Sequence, residues 1–176
     1  KLKIYSFPLE HRVPTCGFLF QEKQSIPNIK REIIKKYNPD IEQIKAIRSG
    51  GDLLTANGLK IKNQDLIKNP PPPRSYAFCS DTKYFESMHQ FFKGVELLYA
   101  ECTFMKDLQT VAVDKYHMTT TDVSKLALEA EAKNLIVGHF SARYRDIADF
   151  EEELLSMLPN AKLVNDLMEY HVRSED

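Results

Sequence analysis

Hydrophobic and polar positions alternate at the start of the chain and again after Thr15. Leu2 and Ile4 alternate with polar neighbours up to a break at Ser6, and the apolar run Cys16-Gly17-Phe18-Leu19-Phe20 forms the centre of residues 15–22. Alternation with a period of two favours strands with one buried face, so both segments are predicted to be strands. The chain begins inside the first of them without an initiator Met, and we expect that an N-terminal portion is missing. A processed start would look the same.

A helical period follows over residues 26–37, between Pro27 and the pair Asn38-Pro39. Apolar residues recur there at helical spacing, and proline near the start with Asn-Pro at the end is typical of helix boundaries. These residues are Ile29, Ile33, Ile34 and Tyr37. Residues 40–74 show no clear period and predict an irregular connection, whose prolines at 70–73 form a stiff lead into the next strand.

From Ser75 onward, short apolar runs alternate with helical patterns. Strands are predicted at 75–79, 95–99 and 135–140, helices at 84–92, 121–133 and 146–158, and one or two closing strands within 162–172. Strands that alternate with helices favour a layered α/β fold. With 176 residues and 43% hydrophobic content, the chain can bury one sizeable core.

Charge is distributed unevenly, although the net charge is only −1. Between Lys23 and Arg74 the chain has eleven basic and five acidic residues. From Ser75 to the end it has ten basic and eighteen acidic residues. Such asymmetry marks one surface for a polyanion, or it reflects a solvated basic helix beside acidic ones.

The three cysteines show no C-x-x-C spacing, which argues against a disulfide scaffold and against a cysteine zinc site. No apolar run approaches the roughly 18 residues that span a bilayer, and no signal segment opens the chain. We therefore expect a soluble protein of the reducing cytoplasm without a membrane partner.

Three candidate metal ligands lie at or just beyond the ends of predicted strands: His11, Asp81 and His139. Strand ends in layered α/β folds open into a cleft, where distant parts of the chain converge. Imidazole and carboxylate are ligands of zinc in open catalytic sites, and a carboxylate such as Asp81 can bridge two ions. By spacing alone, each histidine is equally explained as a structural one.

Local strings around these residues resemble the ribonuclease Z family, a branch of the metallo-β-lactamase superfamily. The strings are Leu9-Glu10-His11-Arg12, Ser80-Asp81-Thr82, Ala100-Glu101-Cys102-Thr103-Phe104, His117-Met118-Thr119-Thr120 and His139-Phe140-Ser141-Ala142-Arg143-Tyr144. The resemblance runs from Ser6 to the C-terminus. It implies that residues 1–176 are the C-terminal part of one metallo-β-lactamase αββα sandwich, with residues 23–74 as a basic, arm-like insertion. The family's His-x-His-x-Asp-His motif is absent from this chain.

The resemblance also implies roles for single residues. His11 is expected to bind the first zinc ion and His139 the second, and Asp81 is expected to bridge the two ions. A complete subunit would thus hold two Zn²⁺. Glu101 and His117 are expected to form a catalytic pair that transfers a proton. The alternatives are that Glu101 forms a salt bridge at the end of a helix or strand, and that His117 only lies next to the N-terminal cap of the helix at Thr120. Arg143 is expected to clamp a phosphate, unless it pairs with Asp146 on the surface. Substrate-binding residues of the arm are Lys30, Arg31, Lys35 and Lys36.

The function implied is that of a zinc-dependent endoribonuclease, a homodimer that removes the 3′ trailer of precursor tRNA. Two alternatives stay open: a phosphodiesterase of the same fold with a small substrate, and a non-catalytic RNA-binding fragment. Imidazole and carboxylate ligands also suit manganese. Because one donor motif is absent, we expect this chain alone to be inactive and to bind zinc weakly or not at all.

Overall fold

The computed structural model describes residues 2–172, which form two compact units. The larger comprises residues 2–23 and 74–172, and the smaller residues 24–73. The strands are β1 Leu2–Leu9, β2 Thr15–Glu22, β3 Asn28–Ile29, β4 Leu53–Leu54, β5 Lys60–Ile61, β6 Ile67–Lys68, β7 Ser75–Cys79, β8 Leu97–Glu101, β9 Asn134–Gly138 and β10 Lys162–Leu163. The helices are α1 Arg31–Tyr37, α2 Ile41–Arg48, α3 Asn63–Leu66, α4 Gln109–Lys115, α5 Thr120–Glu129 and α6 Ala148–Met157. None of the helices within residues 2–172 is long and apolar enough to cross a membrane.

The larger unit is built on one six-stranded sheet in the order β1-β2-β7-β8-β9-β10. β1 and β2 form an antiparallel hairpin, and β2 runs antiparallel to β7. β7, β8, β9 and β10 run parallel. The carboxyl ends of β7, β8 and β9 therefore lie at the same edge of the sheet, where the loops that follow them can form a site.

One face of this sheet is buried under the helices that follow the strands. Alternate residues of each strand point to this core, as the pleat of a strand requires. The core includes Phe7, Ala77, Leu98, Val137, Met118, Leu126, Phe150 and Leu154. Aromatic residues line the other face, where Phe20 stacks on Tyr76 at 5.8 Å and Phe78 on Tyr99 at 4.8 Å between ring centroids.

Gly17 is the point of closest packing between β2 and its neighbours. A Cβ atom at this position would lie 2.4 Å from Cε2 of Phe7 and 2.8 Å from the backbone oxygen of Phe78. Phe7 is buried and stacked on Phe91 at 5.2 Å, so it cannot move aside freely.

We expect Gly17→Ala to lower the free energy of unfolding by about 1–3 kcal/mol in urea denaturation. Cys16→Ala, on the exposed face of the same strand, is the control and should change it by no more than about 0.5 kcal/mol. A Gly17→Ala substitution that leaves the free energy of unfolding unchanged would contradict this packing.

The smaller unit has its own core of Ile47, Leu53 and Leu66. Two short antiparallel pairs, β3 with β6 and β4 with β5, surround it. Asn63 ties the unit together, because its side-chain amide donates to the carbonyls of Ile47 at 2.7 Å and Gly51 at 2.8 Å. The unit occupies nearly the range of the expected basic insertion, 23–74.

The prediction of an irregular connection over residues 40–74 is wrong. α2 begins after Asp40, whose carboxylate accepts from the Gln43 backbone at 2.8 Å while the Gln43 side chain accepts from the Asp40 backbone at 3.0 Å. This reciprocal capping box starts the helix. The helix predicted over 26–37 begins only at Arg31, because Asn28–Ile29 pairs with β6 instead. The proline run forms no regular element and leads into β7, as expected.

In the larger unit the predicted elements are present, with shifted bounds. The strands predicted at 15–22 and 75–79 are confirmed, while those at 95–99 and 135–140 become β8 and β9. The helices predicted at 121–133 and 146–158 become α5 and α6. Only Met88–Phe92 of the segment 84–92 is helical, as a 3₁₀ turn, and of 162–172 only β10 is a strand. α4 was not predicted.

Candidate active site

The parallel strands bring three candidate residues to the same edge of the sheet. Asp81 lies two residues after β7, Glu101 is the last residue of β8, and His139 follows β9 directly. Asp81 and His139 both adopt left-handed backbone conformations, with φ of 57° and 64°. Asp and His are among the residues that tolerate this region, which turns the chain sharply at the strand end. The expected convergence at the strand ends is therefore present for these residues.

Asp81 and His139 approach each other directly. His139 Nε2 lies 3.2 Å from Asp81 Oδ1, and both side chains are partly exposed. Asp81, His117 and His139 each offer one ligand atom, and these three atoms lie within 4.8 Å of one another. Two donors bound to one zinc in tetrahedral geometry are roughly 3.3–3.5 Å apart. A nitrogen and an oxygen at 3.2 Å thus fit a divalent cation between them.

His11 lies beside this group of three but is not part of it. It comes from the turn between β1 and β2, and its ring centroid is 5.5 Å from that of His117. Its Nδ1 lies 3.3 Å from the carbonyl oxygen of Tyr116. An Nδ1–H that donates to this carbonyl leaves Nε2 as the atom available to a cation. Of the three residues expected to bind metal, Asp81 and His139 thus lie together, whereas His11 lies next to His117.

Glu101 is fully buried and lies beneath the exposed side chains of the site. One carboxylate oxygen accepts from the backbone N–H of Thr82 at 2.9 Å and from His117 Nδ1 at 2.8 Å. The other accepts from the Thr103 hydroxyl at 2.5 Å and from the backbone N–H of Met118 at 3.3 Å. A single carboxylate therefore connects the loops that follow β7 and β8 with the loop that carries His117.

The expected Glu101–His117 pair is in direct contact. The hydrogen bond from His117 to Glu101 raises the pKa of the imidazole, while partial burial of the ring opposes that effect. α4 ends at Tyr116 in a left-handed conformation with φ 62°, and the His117 N–H donates to the Ala112 carbonyl at 2.9 Å. Thr119 then caps α5, so the His117 loop is held between two helices. The ring is positioned to hold a proton at Nδ1 and to present Nε2 to the site.

Arg143 lies beside the site on an aromatic support. Its guanidinium is 4.8 Å from the ring centroid of Phe104, and the Phe104 ring is 6.1 Å from that of His117. Within residues 2–172, Arg143 forms no ion pair with Asp146, whose carboxylate instead accepts from the Ala148 backbone at 2.9 Å. The alternative of an Arg143–Asp146 surface pair is therefore wrong.

The four basic residues of the expected arm lie at or within α1 of the smaller unit. Lys30 precedes the helix and its ammonium donates to the Asp65 carbonyl at 2.9 Å. Arg31 and Lys35 are exposed and one helical turn apart, and the Lys36 ammonium lies 5.1 Å from the Tyr37 ring centroid. The helix thus presents a basic surface to solvent.

Thr103 is a site residue that the sequence did not single out. Its hydroxyl lies between Glu101 and His139, at 2.5 Å from Glu101 Oε2 and 2.9 Å from His139 Nδ1. A signal was present, because residues two apart in an extended segment point the same way. Glu101 and Thr103 share that spacing.

Several known proteins are similar to this chain over nearly its whole length. No family model matches the chain. Ribonuclease Z from Bacteroides thetaiotaomicron is 38% identical over 165 residues, which cover 94% of this chain and 52% of that protein. The chain thus spans about half the length of the curated relatives it matches.

Two solved structures have a fold similar to that of this chain. Human tRNase Z, short form, matches with a TM-score of 0.56 and 17% identity, covering 98% of this chain and 44% of that one. The metallo-β-lactamase fold protein YhfI from Bacillus subtilis matches with a TM-score of 0.56 and 14% identity, covering 93% and 47%. At these identities the likeness concerns the fold alone. It confirms the expected α/β fold class of the metallo-β-lactamase type.

Proposed function

This chain is a homologue of ribonuclease Z over nearly its whole length, and from that premise we propose that it forms part of a zinc-dependent endoribonuclease that removes the 3′ trailer of precursor tRNA. The observation that carries the proposal is the approach of Asp81 and His139 at the sheet edge, where Oδ1 and Nε2 are 3.2 Å apart, with His117 next to them. Nitrogen and oxygen donors at this spacing suit a divalent cation.

In this proposal two Zn²⁺ ions would be held by Asp81 as the shared carboxylate, by His139 as a ligand of one ion and by His11 as a ligand of the other. The remaining donors come from the family's His-x-His-x-Asp-His motif, which this chain does not contain. Bound zinc would supply Lewis-acid charge to the phosphodiester and make water more acidic. A carboxylate between two cations reduces their mutual repulsion, which is the reason for assigning the bridge to Asp81.

His117 protonates the oxygen that departs from phosphorus. Glu101 holds Nδ1 at 2.8 Å and favours the protonated ring, so that Nε2 is the atom that gives up its proton. Because the bond to the 3′ oxygen is the one that breaks, the tRNA keeps a 3′ hydroxyl and the trailer carries the phosphate. Glu101 acts through His117 and does not itself reach the substrate, since its side chain is fully buried.

Substrate binding is assigned to basic residues in both units. Arg143, supported by Phe104 at 4.8 Å, pairs with a phosphate near the site. Lys30, Arg31, Lys35 and Lys36 contact the tRNA backbone through α1, with an affinity that falls as salt rises. By analogy with the family, the complete enzyme is a homodimer whose partner subunit contributes this arm. The cysteines of the described chain are free, which fits a cytoplasmic location.

The test compares this chain with a complete form that also carries the His-x-His-x-Asp-His motif. We expect the complete form to cleave precursor tRNA to a 3′-hydroxyl product and a 5′-phosphorylated trailer, and the chain alone to be inactive. Cleavage of bis(p-nitrophenyl) phosphate without cleavage of the RNA would favour a phosphodiesterase with a small substrate. RNA binding without cleavage by the complete form would favour a non-catalytic role, and cleavage by the chain alone would refute the need for the additional donors.

A further inference from the structure

The hydroxyl of Thr103 has three possible acceptors but only one hydrogen. It lies 2.5 Å from Glu101 Oε2, 2.9 Å from His139 Nδ1 and 3.0 Å from the His139 carbonyl oxygen. Thr103 is buried, so water does not compete for these contacts. The direction of the single hydrogen therefore decides the hydrogen-bonding roles of its neighbours.

The short distance between the Thr103 hydroxyl oxygen and Glu101 Oε2 indicates where that hydrogen lies. Two oxygens at 2.5 Å repel strongly unless a hydrogen lies between them, and charge-assisted O–H···O bonds have this length. Glu101 already accepts from the backbone N–H groups of Thr82 and Met118, so its role here is that of an acceptor. The Thr103 hydroxyl consequently donates to Glu101 and can only accept from the His139 ring.

The assignment fixes the tautomer of His139. If the Thr103 oxygen accepts, Nδ1 must carry a hydrogen, and Nε2 is the atom whose lone pair is free to bind a cation. Nε2 is also the atom that faces Asp81, at 3.2 Å. We propose that Thr103 is a positioning residue that holds His139 in the Nδ1–H tautomer and so presents Nε2 to the cation. The identity of that cation rests on the proposed function, whereas the tautomer does not.

The backbone keeps this arrangement in register. The Cys102 N–H donates to the Gly138 carbonyl at 2.8 Å, and the Ser141 N–H donates to the Thr103 carbonyl at 3.1 Å. The segments that carry Thr103 and His139 thus continue side by side beyond the paired strands. Glu101 consequently orients two imidazoles, His117 by direct contact and His139 through the hydroxyl of Thr103.

The experiment reads the tautomer directly by NMR. The chain is labelled with ¹⁵N and its histidine ring nitrogens are assigned without metal, in alkaline buffer. We expect Nδ1 of His139 to be the protonated nitrogen, although free histidine prefers a proton on Nε2. In the complete enzyme, addition of zinc chloride should shift the Nε2 signal while Nδ1 keeps its hydrogen. A wild-type His139 protonated at Nε2 would overturn the proposal without any variant.

Three substitutions separate positioning from general stability. Thr103→Val removes the acceptor at nearly constant volume and should move the His139 proton to Nε2, beside Asp81. Thr103→Ser restores the hydroxyl and should restore the wild-type tautomer. Thr120→Val is the matched control, because Thr120 is also buried but its hydroxyl bonds to Glu153, so its loss should leave His139 unchanged. An unchanged tautomer in folded Thr103→Val would refute the proposal.

Zinc affinity gives a second readout that does not require turnover. In the complete enzyme, Thr103→Val should weaken zinc binding about 10- to 100-fold, as loss of a partner that orients a histidine ligand does. Thr103→Ser should stay near the wild type, and a Thr103→Val enzyme with wild-type affinity would contradict the positioning role. Failure to cleave precursor tRNA, with the expected tautomer present, would refute the proposed function and leave the role of Thr103 intact.

Discussion

Replacing Glu101 by alanine is expected to lower the free energy of unfolding of this chain by about 3–5 kcal/mol, the largest loss we expect from any single substitution at the site. The side chain is fully buried and accepts four hydrogen bonds. Its removal leaves the backbone N–H groups of Thr82 and Met118 buried without an acceptor. Unsatisfied buried donors are costly, since water cannot replace the lost partner.

The measurement is chemical denaturation of metal-free protein, so that lost metal binding does not contribute. Glu131→Ala is the matched control, because Glu131 also forms an ion pair, with Lys93 at 3.0 Å, but is exposed. An exposed pair contributes little, so we expect a change below about 1 kcal/mol for this control. Equal effects of the two substitutions would show that Glu101 does not hold the loops together.

Replacing Asp81 by asparagine is expected to lower turnover of precursor tRNA by the complete enzyme at least about a thousandfold, or roughly 4 kcal/mol of transition-state stabilisation. Asparagine has nearly the same shape but lacks the charge that offsets two cations and the second oxygen that a bridge requires. Stability should change little, because Asp81 is partly exposed and its contact is with His139 at 3.2 Å.

Zinc content separates this effect from a general defect. We expect Asp81→Asn to lose at least one of the two zinc ions, as measured by atomic emission on dialysed protein. Glu10→Gln removes a carboxylate from a neighbouring loop, where it pairs with Lys83 at 3.0 Å, and should retain both metal and turnover. A fully loaded and active Asp81→Asn enzyme would exclude Asp81 as the bridge.

Much of the larger unit could be predicted from the sequence. The strand 75–79 is a short apolar run between turn-forming residues, and α5 has a strong apolar face together with a capping box at Thr119 and Asp122. Such local patterns survive folding because burial follows them. The smaller unit could not be predicted equally well. In α2 only Ile47 is buried while Ile41 is exposed, so the helical period is weak and the signal lies in the cap at Asp40.

For the candidate site, the sequence indicated several of the side chains that come together at the sheet edge, but neither Thr103 nor the distances between them. The strand ends placed Asp81 and His139 at one edge, and the contact between Glu101 and His117 followed the family pattern. Sequence order could not give the approach of His117 to the two predicted ligands, since it depends on α4 and on the left-handed turn at Tyr116. Nor could it show that Thr103 has a single hydrogen to share, because that constraint arises only from interatomic distances.

Glu101 combines a structural role with the chemical role that we propose for it. As an acceptor it connects the loops, and as a negative charge under the site it favours a proton on His117. The contribution of Glu101 to folding depends mainly on satisfied hydrogen-bond donors, whereas its proposed contribution to proton transfer depends on its charge.

We propose above all that Asp81 and His139 bind a divalent cation together. The most direct measurement is anomalous diffraction at the zinc absorption edge, from crystals of the complete enzyme. We expect an anomalous peak between Asp81 Oδ1 and His139 Nε2, at about 2.0–2.2 Å from each atom. Fully occupied zinc elsewhere in the protein, with no peak between these two side chains, would contradict it.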